Sequence, residues 1–255
     1  MSVSQRMIAI LFVGLLGMIV GSFLNVVIHR VPRGESIVTP RSRCPSCETE
    51  VAPRDNVPVL SWLLLRGRCR HCGEPISARY PLIELLTALV FAAVALSRGV
   101  DGDLALQLPF AAVLIAVAAI DLEHRKILNA ITAPAAVWAV AAAAVLHTGE
   151  LPELLIAGAA AFGALLLMAI AYPGGMGMGD VKLAGVMGLY LGLSVAPALL
   201  IAFFTGSVVG VGVMARKGVA ARKSALPFGP FLAIGGLVGL LAGPELVELY
   251  ADRFL

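Results

Sequence analysis

The chain alternates long apolar runs with short polar joints. From Met7 to Ile28 only Ser22 and Asn25 are polar, and a run of that length makes about 33 Å of helix at 1.5 Å per residue, enough to cross a bilayer core. Strongly polar sequence follows, with no short apolar core and small-residue cleavage site, so the run reads as a retained first span rather than a signal peptide. Further apolar runs predict spans at 81–97, 104–120, 128–147, 153–172, 181–192, 194–214 and 226–247. The expected fold is an all-α polytopic membrane protein of about eight transmembrane helices. The border near Leu193-Ser194 is the least marked, and the one sizeable extramembrane piece is residues 29–79.

Composition narrows the class without changing it. With 255 residues, 59% hydrophobic and 14% charged, and a mean hydropathy of +0.93, the chain is too apolar for a soluble domain of that length. Charge adds orientation. Under an eight-span reading, sixteen of the nineteen Lys and Arg residues fall on one side, which the positive-inside rule assigns to the cytoplasm. Asp101, Asp103, Glu150, Glu153, Glu245, Glu248 and Asp252 gather on the other side. Asp121 then closes the third span and Asp180 opens the sixth, on the same side of the membrane.

That coincidence makes the two aspartates the candidate chemistry. A carboxylate at the edge of hydrocarbon is costly to keep and marks a functional site by default. Asp180 stands in Gly174-Gly175-Met176-Gly177-Met178-Gly179-Asp180-Val181-Lys182, where glycines let the backbone take positive φ or admit a second chain closely. Two carboxylates sharing one proton can activate water and protonate a leaving group, which a single one cannot do. Gly177, Gly179 and Lys182 are candidate supports for that pair. Lys182 either lowers the pKa of a neighbouring carboxylate or snorkels to the interface. Glu123, His124, Arg125 and Lys126 read as a solvated anchor, with His124 a possible base.

The loop between the first two spans holds all four cysteines, as Cys44-Pro45-Ser46-Cys47 and Cys69-Arg70-His71-Cys72-Gly73. Two such knuckles complete a tetrahedral thiolate shell with no open position, a structural zinc site. Disulfides are the alternative, disfavoured by a reducing cytoplasmic side. Nine arginines stand against five acids in residues 29–79. Trp62 is the only aromatic ring between residues 31 and 79 available for base stacking, so the basic excess points to lipid headgroups and not to nucleic acid.

In the first span Gly14, Gly17 and Gly21 share one helical face, as a close-packing surface would require. Ser22, Asn25 and His29 continue a polar stripe, either interfacial or the wall of a ligand site. Glu84 opens the second span after Pro81, favoured there by the helix dipole or by a cationic substrate group. The inner patch Arg216, Lys217, Arg222 and Lys223 is an orientation signal, and Leu226-Pro227-Phe228-Gly229-Pro230-Phe231 suggests a broken start to the last span.

Taken in order, these segments resemble the type IV prepilin peptidase family. The resemblance is carried by Gly21 through Arg30, both cysteine knuckles, Leu65 through Cys69, Arg79 through Glu84, Gly177 through Lys182, and Pro227 through Ala233, and it spans nearly the whole chain. The family commonly has Ile-Pro shortly after its first aspartate, where this chain has Ile127-Leu128. The resemblance implies an intramembrane aspartic endopeptidase of the bacterial inner (cytoplasmic) membrane, with Asp121 and Asp180 as the catalytic pair facing the cytoplasm. Its substrate would be a prepilin or pseudopilin with a basic leader and an apolar N-terminal helix. Members with the cysteine loop often also methylate the new N-terminus with S-adenosylmethionine, for which Ser22, Asn25 and His29 are weak candidate ligands. Such a chain divides into a first helix (1–28), a zinc-binding loop (29–79) ligated by Cys44, Cys47, Cys69 and Cys72, and a transmembrane peptidase core (80–255). Two other readings remain: an ion-coupled transporter, which would carry its acids near the midplane in repeated halves, and a zinc-ribbon membrane adaptor, which needs neither aspartate.

Overall fold

The computed structural model describes residues 2–217 and 226–254, so Arg222 and Lys223 of the inner basic patch lie outside the described residues. The chain forms two compact units, Met1–Val100 and Asp101–Leu255. Among the described residues there is no strand, only isolated bridges at Arg43–Glu50 and Arg68–Pro75.

The first unit is a hairpin of α1 (Val3–Arg30) and α3 (Arg79–Arg98), with the short α2 (Leu60–Leu64) between them. Ser2 caps α1: its hydroxyl accepts from the Gln5 amide, and Gln5 Oε1 accepts from the Ser2 amide at 2.8 Å. Lipid gives apolar helices little hydrophobic reason to associate, so they need backbone approach and dispersion contact. The glycine face supplies it. A Cβ on Gly17 would lie 2.8 Å from Ala88 Cα, and one on Gly21 2.7 Å from Glu84 Cα. Residues 79–98, contiguous in sequence with the later helices, thus pack on α1, because that face has the complementary shape.

The second unit contains α4 (Leu104–His124), α5 (Asn129–Leu146), α6 (Leu151–Ala171), α7 (Met178–Leu191), α8 (Val195–Lys217) and α9 (Gly229–Phe254). Its core is α4, where Phe110, Leu114, Val117 and Ile120 are at most 1% exposed. By length and apolarity seven helical stretches qualify as membrane crossings, one of them the 39 residues Met178–Arg216. That stretch is two helices. A 3₁₀ turn at Gly192–Ser194 breaks it, with Gly192 at φ 54°. On α9, Gly239 lies against Leu191 and Ser194, Gly235 against Ala198, while Gly206 of α8 meets Phe228 and Phe231. So α8 runs back along α9 toward the end where α7 began, and among the described residues the seven qualifying stretches comprise eight long helices.

Two boundaries bear on the site. The third predicted span stopped at 120, but α4 continues to His124, because helical hydrogen bonding persists beyond the hydrocarbon. Asp121 is therefore inside a helix. The sixth was placed from 181, but α7 begins at Met178 with Asp180 in its first turn. Tyr190 anchors the other end of α7: its hydroxyl donates to Ala135 O at 2.8 Å and its ring stacks on Phe110, centroids 4.5 Å apart.

Candidate active site

Asp121 is 5% exposed and its Oδ2 accepts from the Gly229 amide at 2.8 Å. Gly229 is the first residue of α9, and since Pro230 carries no N–H and the Phe231 and Leu232 amides donate to Phe228 O, its amide is the one donor that this helix start gives the carboxylate. Only glycine permits this. A Cβ at position 229 would stand 2.8 Å from Asp121 Oδ2 and 2.9 Å from its Cβ. The chain after Asp121 closes α4 with Arg125 in the left-handed region, its amide donating to Asp121 O. It then runs extended through Leu128, which caps α5 at φ −91° and ψ 132° without the family's proline.

Asp180 is half-buried and its Oδ2 accepts from the Gly177 amide at 3.0 Å, the acidic half of a capping box. Gly179 presses on the segment that follows α4: a Cβ there would meet Ile127 Cβ at 2.8 Å. Two residues on, Lys182 Nζ donates to Asn129 Oδ1 at 3.0 Å, tying α7 to the start of α5. These contacts bring the first turn of α7, which carries Asp180, beside the segment that follows Asp121 and α4. Each carboxylate takes one backbone donor, which leaves acceptor capacity for water or substrate. The arrangement unites Asp121, Asp180, Gly177, Gly179 and Lys182 at one end of the unit. Gly229 joins them. Its signal in the sequence was a glycine flanked closely by two prolines, legible as a broken helix start but not as a partner of Asp121.

Beside this end runs a groove of about 490 Å³. Asn129 and Lys182 line it together with Thr132, Ala136, Phe162 and Leu189, so it is polar next to Asp180 and apolar further along. Its α5 and α7 positions recur at helical spacing over two turns, which makes the groove parallel to the helices.

The first unit holds the cysteines. Their four Sγ atoms lie within 4.8 Å of one another, with Cys44–Cys72 at 3.7 Å and Cys47–Cys69 at 4.0 Å. Tetrahedral coordination at about 2.3 Å per Zn–S bond requires sulfur separations of roughly 3.8 Å, so the donor set fits a single metal ion. The two knuckles match: Glu48 N donates to Cys44 O and Gly73 N to Cys69 O, each at 3.0 Å, with positive φ at both Glu48 and Gly73. Hydrogen bonds from Thr49 draw the Cys47 thiol down to about 6, favouring the thiolate that a metal needs.

Ser22, Asn25 and His29 stand on the inner half of α1. Asn25, 3% exposed, donates to Tyr80 O at 3.1 Å, and His29 meets Arg33 through Nδ1 and its carbonyl. The cavity at this end of α1, about 340 Å³, is lined instead by Val26, Arg30, Val38, Arg41, Val51 and Asn56 among others.

Comparison with known proteins gives two family matches. Residues 15–98 match the bacterial peptidase A24 N-terminal domain and residues 108–213 the type IV leader peptidase family. A prepilin leader peptidase/N-methyltransferase of Aeromonas hydrophila is 36% identical over 282 residues, covering 94% of this chain and 93% of that protein. One from Bacillus subtilis is 34% identical, with 98% and 100% covered. One from Myxococcus xanthus is 40% identical over 221 residues, with 84% and 65% covered. No solved structure matches.

Proposed function

This chain belongs to the type IV leader peptidase family, a multi-pass membrane enzyme of prepilin processing, and from that premise we propose that Asp121 and Asp180 are its catalytic pair. What supports the reading is that α4 and α7, far apart in sequence, each present a carboxylate held by a backbone amide at a glycine, with Gly179 pressed on Ile127 just after α4. One carboxylate is ionised and takes a proton from water as the oxygen attacks the scissile carbonyl. The other, protonated, donates to the carbonyl oxygen, giving a neutral tetrahedral diol. Collapse returns the diol proton to a carboxylate and delivers a proton to the departing amine. No metal is needed in this step. A transporter would keep such acids near the midplane, whereas these stand at the ends of α4 and α7.

The substrate is a prepilin, and its apolar N-terminal helix lies in the groove between α5 and α6, with the scissile peptide at the Asn129–Lys182 end. The groove's parallel course, apolar length and polar inner end support this docking. The basic loops orient the catalytic end toward the cytoplasm of a bacterial inner membrane, where a basic leader would remain.

The relatives' names include N-methyltransferase, and we infer the same second activity here, with S-adenosylmethionine as donor. The cavity lined by Val26, Val38, Val51, Arg41 and Asn56 suits a ligand with an apolar face and a carboxylate. Bound donor would supply an electrophilic methyl group to the new amine. The four cysteines hold zinc as a structural ion, since a closed thiolate shell leaves no position for substrate.

The test is cleavage of a prepilin by purified protein in detergent, with product mass read with and without the donor. Asp121→Asn and Asp180→Asn each lose about 100- to 10,000-fold, the usual worth of general acid–base catalysis, while keeping their fold. Full cleavage by either variant would overturn the assignment.

A further inference from the structure

Residues 29–79 read as extramembrane, yet one part of them is tied through Glu84 to the beginning of α3. Glu84 is 7% exposed and five residues into α3, about 7.5 Å beyond Arg79 at 1.5 Å per residue. α1 crosses at the same level, since Gly21 packs on Glu84 Cα. Arg30 is nine residues further along α1, about 13 Å closer to the aqueous side. Around this level both helices turn apolar side chains outward: Phe23 on α1, and Leu82, Leu85 and Leu86 on α3, between 42% and 62% exposed. These are lipid-facing positions in helices that span the membrane.

The loop is bonded to Glu84. The Val59 amide donates to Glu84 Oε2 at 2.7 Å, immediately before α2. Val59 sits at φ 59° and ψ −51°, unfavourable for a β-branched residue, and the Glu84 bond secures it. Nearby polar groups are also satisfied within the protein: Val57 N donates to Ser61 Oγ, and Ser61 Oγ donates to Arg54 O, both at 3.0 Å. Backbone at membrane depth requires such internal satisfaction. One face of α2 turns to protein, with Ser61 buried and Trp62 Nε1 donating to Ile76 O at 3.0 Å. The other presents Leu60, Leu63 and Leu64 at 53%, 59% and 74% exposure, with Val57 at 44% beside them. Arg54, Arg66 and Arg68 are exposed around this patch, where they complement anionic headgroups.

We propose that α2 is an interfacial helix whose Val57, Leu60, Leu63 and Leu64 side chains enter the bilayer, with Glu84 as the internal anchor that fixes its depth. The occupant of the apolar face is lipid. It follows that Glu84 acts on the loop and not on a cationic substrate group, and that the cysteine knuckles are held against the membrane surface from both sides of α2.

The full chain carrying Trp138→Phe, which leaves Trp62 as its one indole, serves as parent for Leu64→Trp and, separately, Leu63→Trp. Each is reconstituted in phosphatidylcholine/phosphatidylglycerol vesicles and titrated with aqueous acrylamide or with lipid brominated near the headgroup end of its acyl chains. The added indole loses most of its emission to brominated lipid and little to acrylamide, while Ser46→Trp, on a cysteine knuckle, shows the reverse. Adding Glu84→Ala to Leu64→Trp shifts quenching toward acrylamide. Quenching of both α2 indoles by acrylamide alone would show the helix in water, and quenching by neither would show it covered by protein. Either result overturns the proposal. Leu63→Trp keeps the test decisive should Leu64→Trp fail to fold.

Discussion

Gly229 donates its amide to Asp121 Oδ2 at 2.8 Å across a sequence separation of 108 residues. The bond aligns the start of α9 with the last turn of α4, and it leaves no room for a side chain on Gly229. Gly229→Ala places a methyl against the carboxylate and displaces it or the helix. A hydrogen bond to a charged group is worth about 1.5–3 kcal/mol, or roughly 10- to 100-fold in rate when lost from the transition state. Prepilin cleavage by Gly229→Ala is expected to fall by that range in kcat, with thermal stability near that of the parent. Unchanged kcat would separate Gly229 from the chemistry.

Gly179 works by the same logic at the second carboxylate. Alanine there meets Ile127 Cβ at 2.8 Å and pushes the first turn of α7 away from α4. Cleavage is expected to drop about 10-fold, the rate equivalent of some 1.4 kcal/mol. Ile127→Gly removes the opposing atom, so the double variant should recover part of the loss. Kinetics of the two single variants and the double variant give the coupling directly, and additive losses would deny that the contact positions Asp180.

How much of this was legible beforehand follows from the physics of each part. The long apolar helices and the glycine face of α1 were readable because apolar length and helical spacing are local properties of the sequence. The reversal at Gly192–Ser194 was faint, since an apolar stretch shows no polar joint when the turn is itself buried. Gly229 was visible only as a glycine close to two prolines. Its partner is more than a hundred residues away, and no periodicity reports such a contact. Asn25 and His29 of the polar stripe spend their hydrogen bonds on Tyr80 and Arg33, choices made by packing that no spacing reports. Where the family commonly has a proline after Ile127, Leu128 takes an extended conformation without it.

The two units give the metal a separable role. All four cysteines lie in Met1–Val100, and both aspartates lie in Asp101–Leu255. Cys69→Ser, or stripping with a strong chelator, should remove one zinc per chain by elemental analysis and expose residues 34–78 to protease. Because a structural ion supplies folding free energy to its own loop, methyl transfer should vanish while cleavage by Asp121 and Asp180 stays within about 3-fold of the parent, under 1 kcal/mol. Equal loss of both activities would mean that the ion supports the peptidase site as well.

The proposed docking of the substrate helix in the groove between α5 and α6 makes a sharp demand on binding. Ala136 lines its apolar stretch beside Phe162 and Leu189, away from the Asn129–Lys182 end. Ala136→Phe fills the channel without reaching either carboxylate. A substrate whose apolar helix lies there must then give up contact with one or two side chains, each worth about 1.5–3 kcal/mol when fully buried and less at a groove. KM for full prepilin in detergent is expected to rise about 10-fold with kcat unchanged, because the lost contact binds ground state and transition state alike. A short peptide spanning the cleavage point but lacking the apolar helix should be cut by parent and variant at the same kcat/KM. If the variant slows both substrates equally, the groove is not where the helix lies and the effect belongs to the packing of α5 on α7.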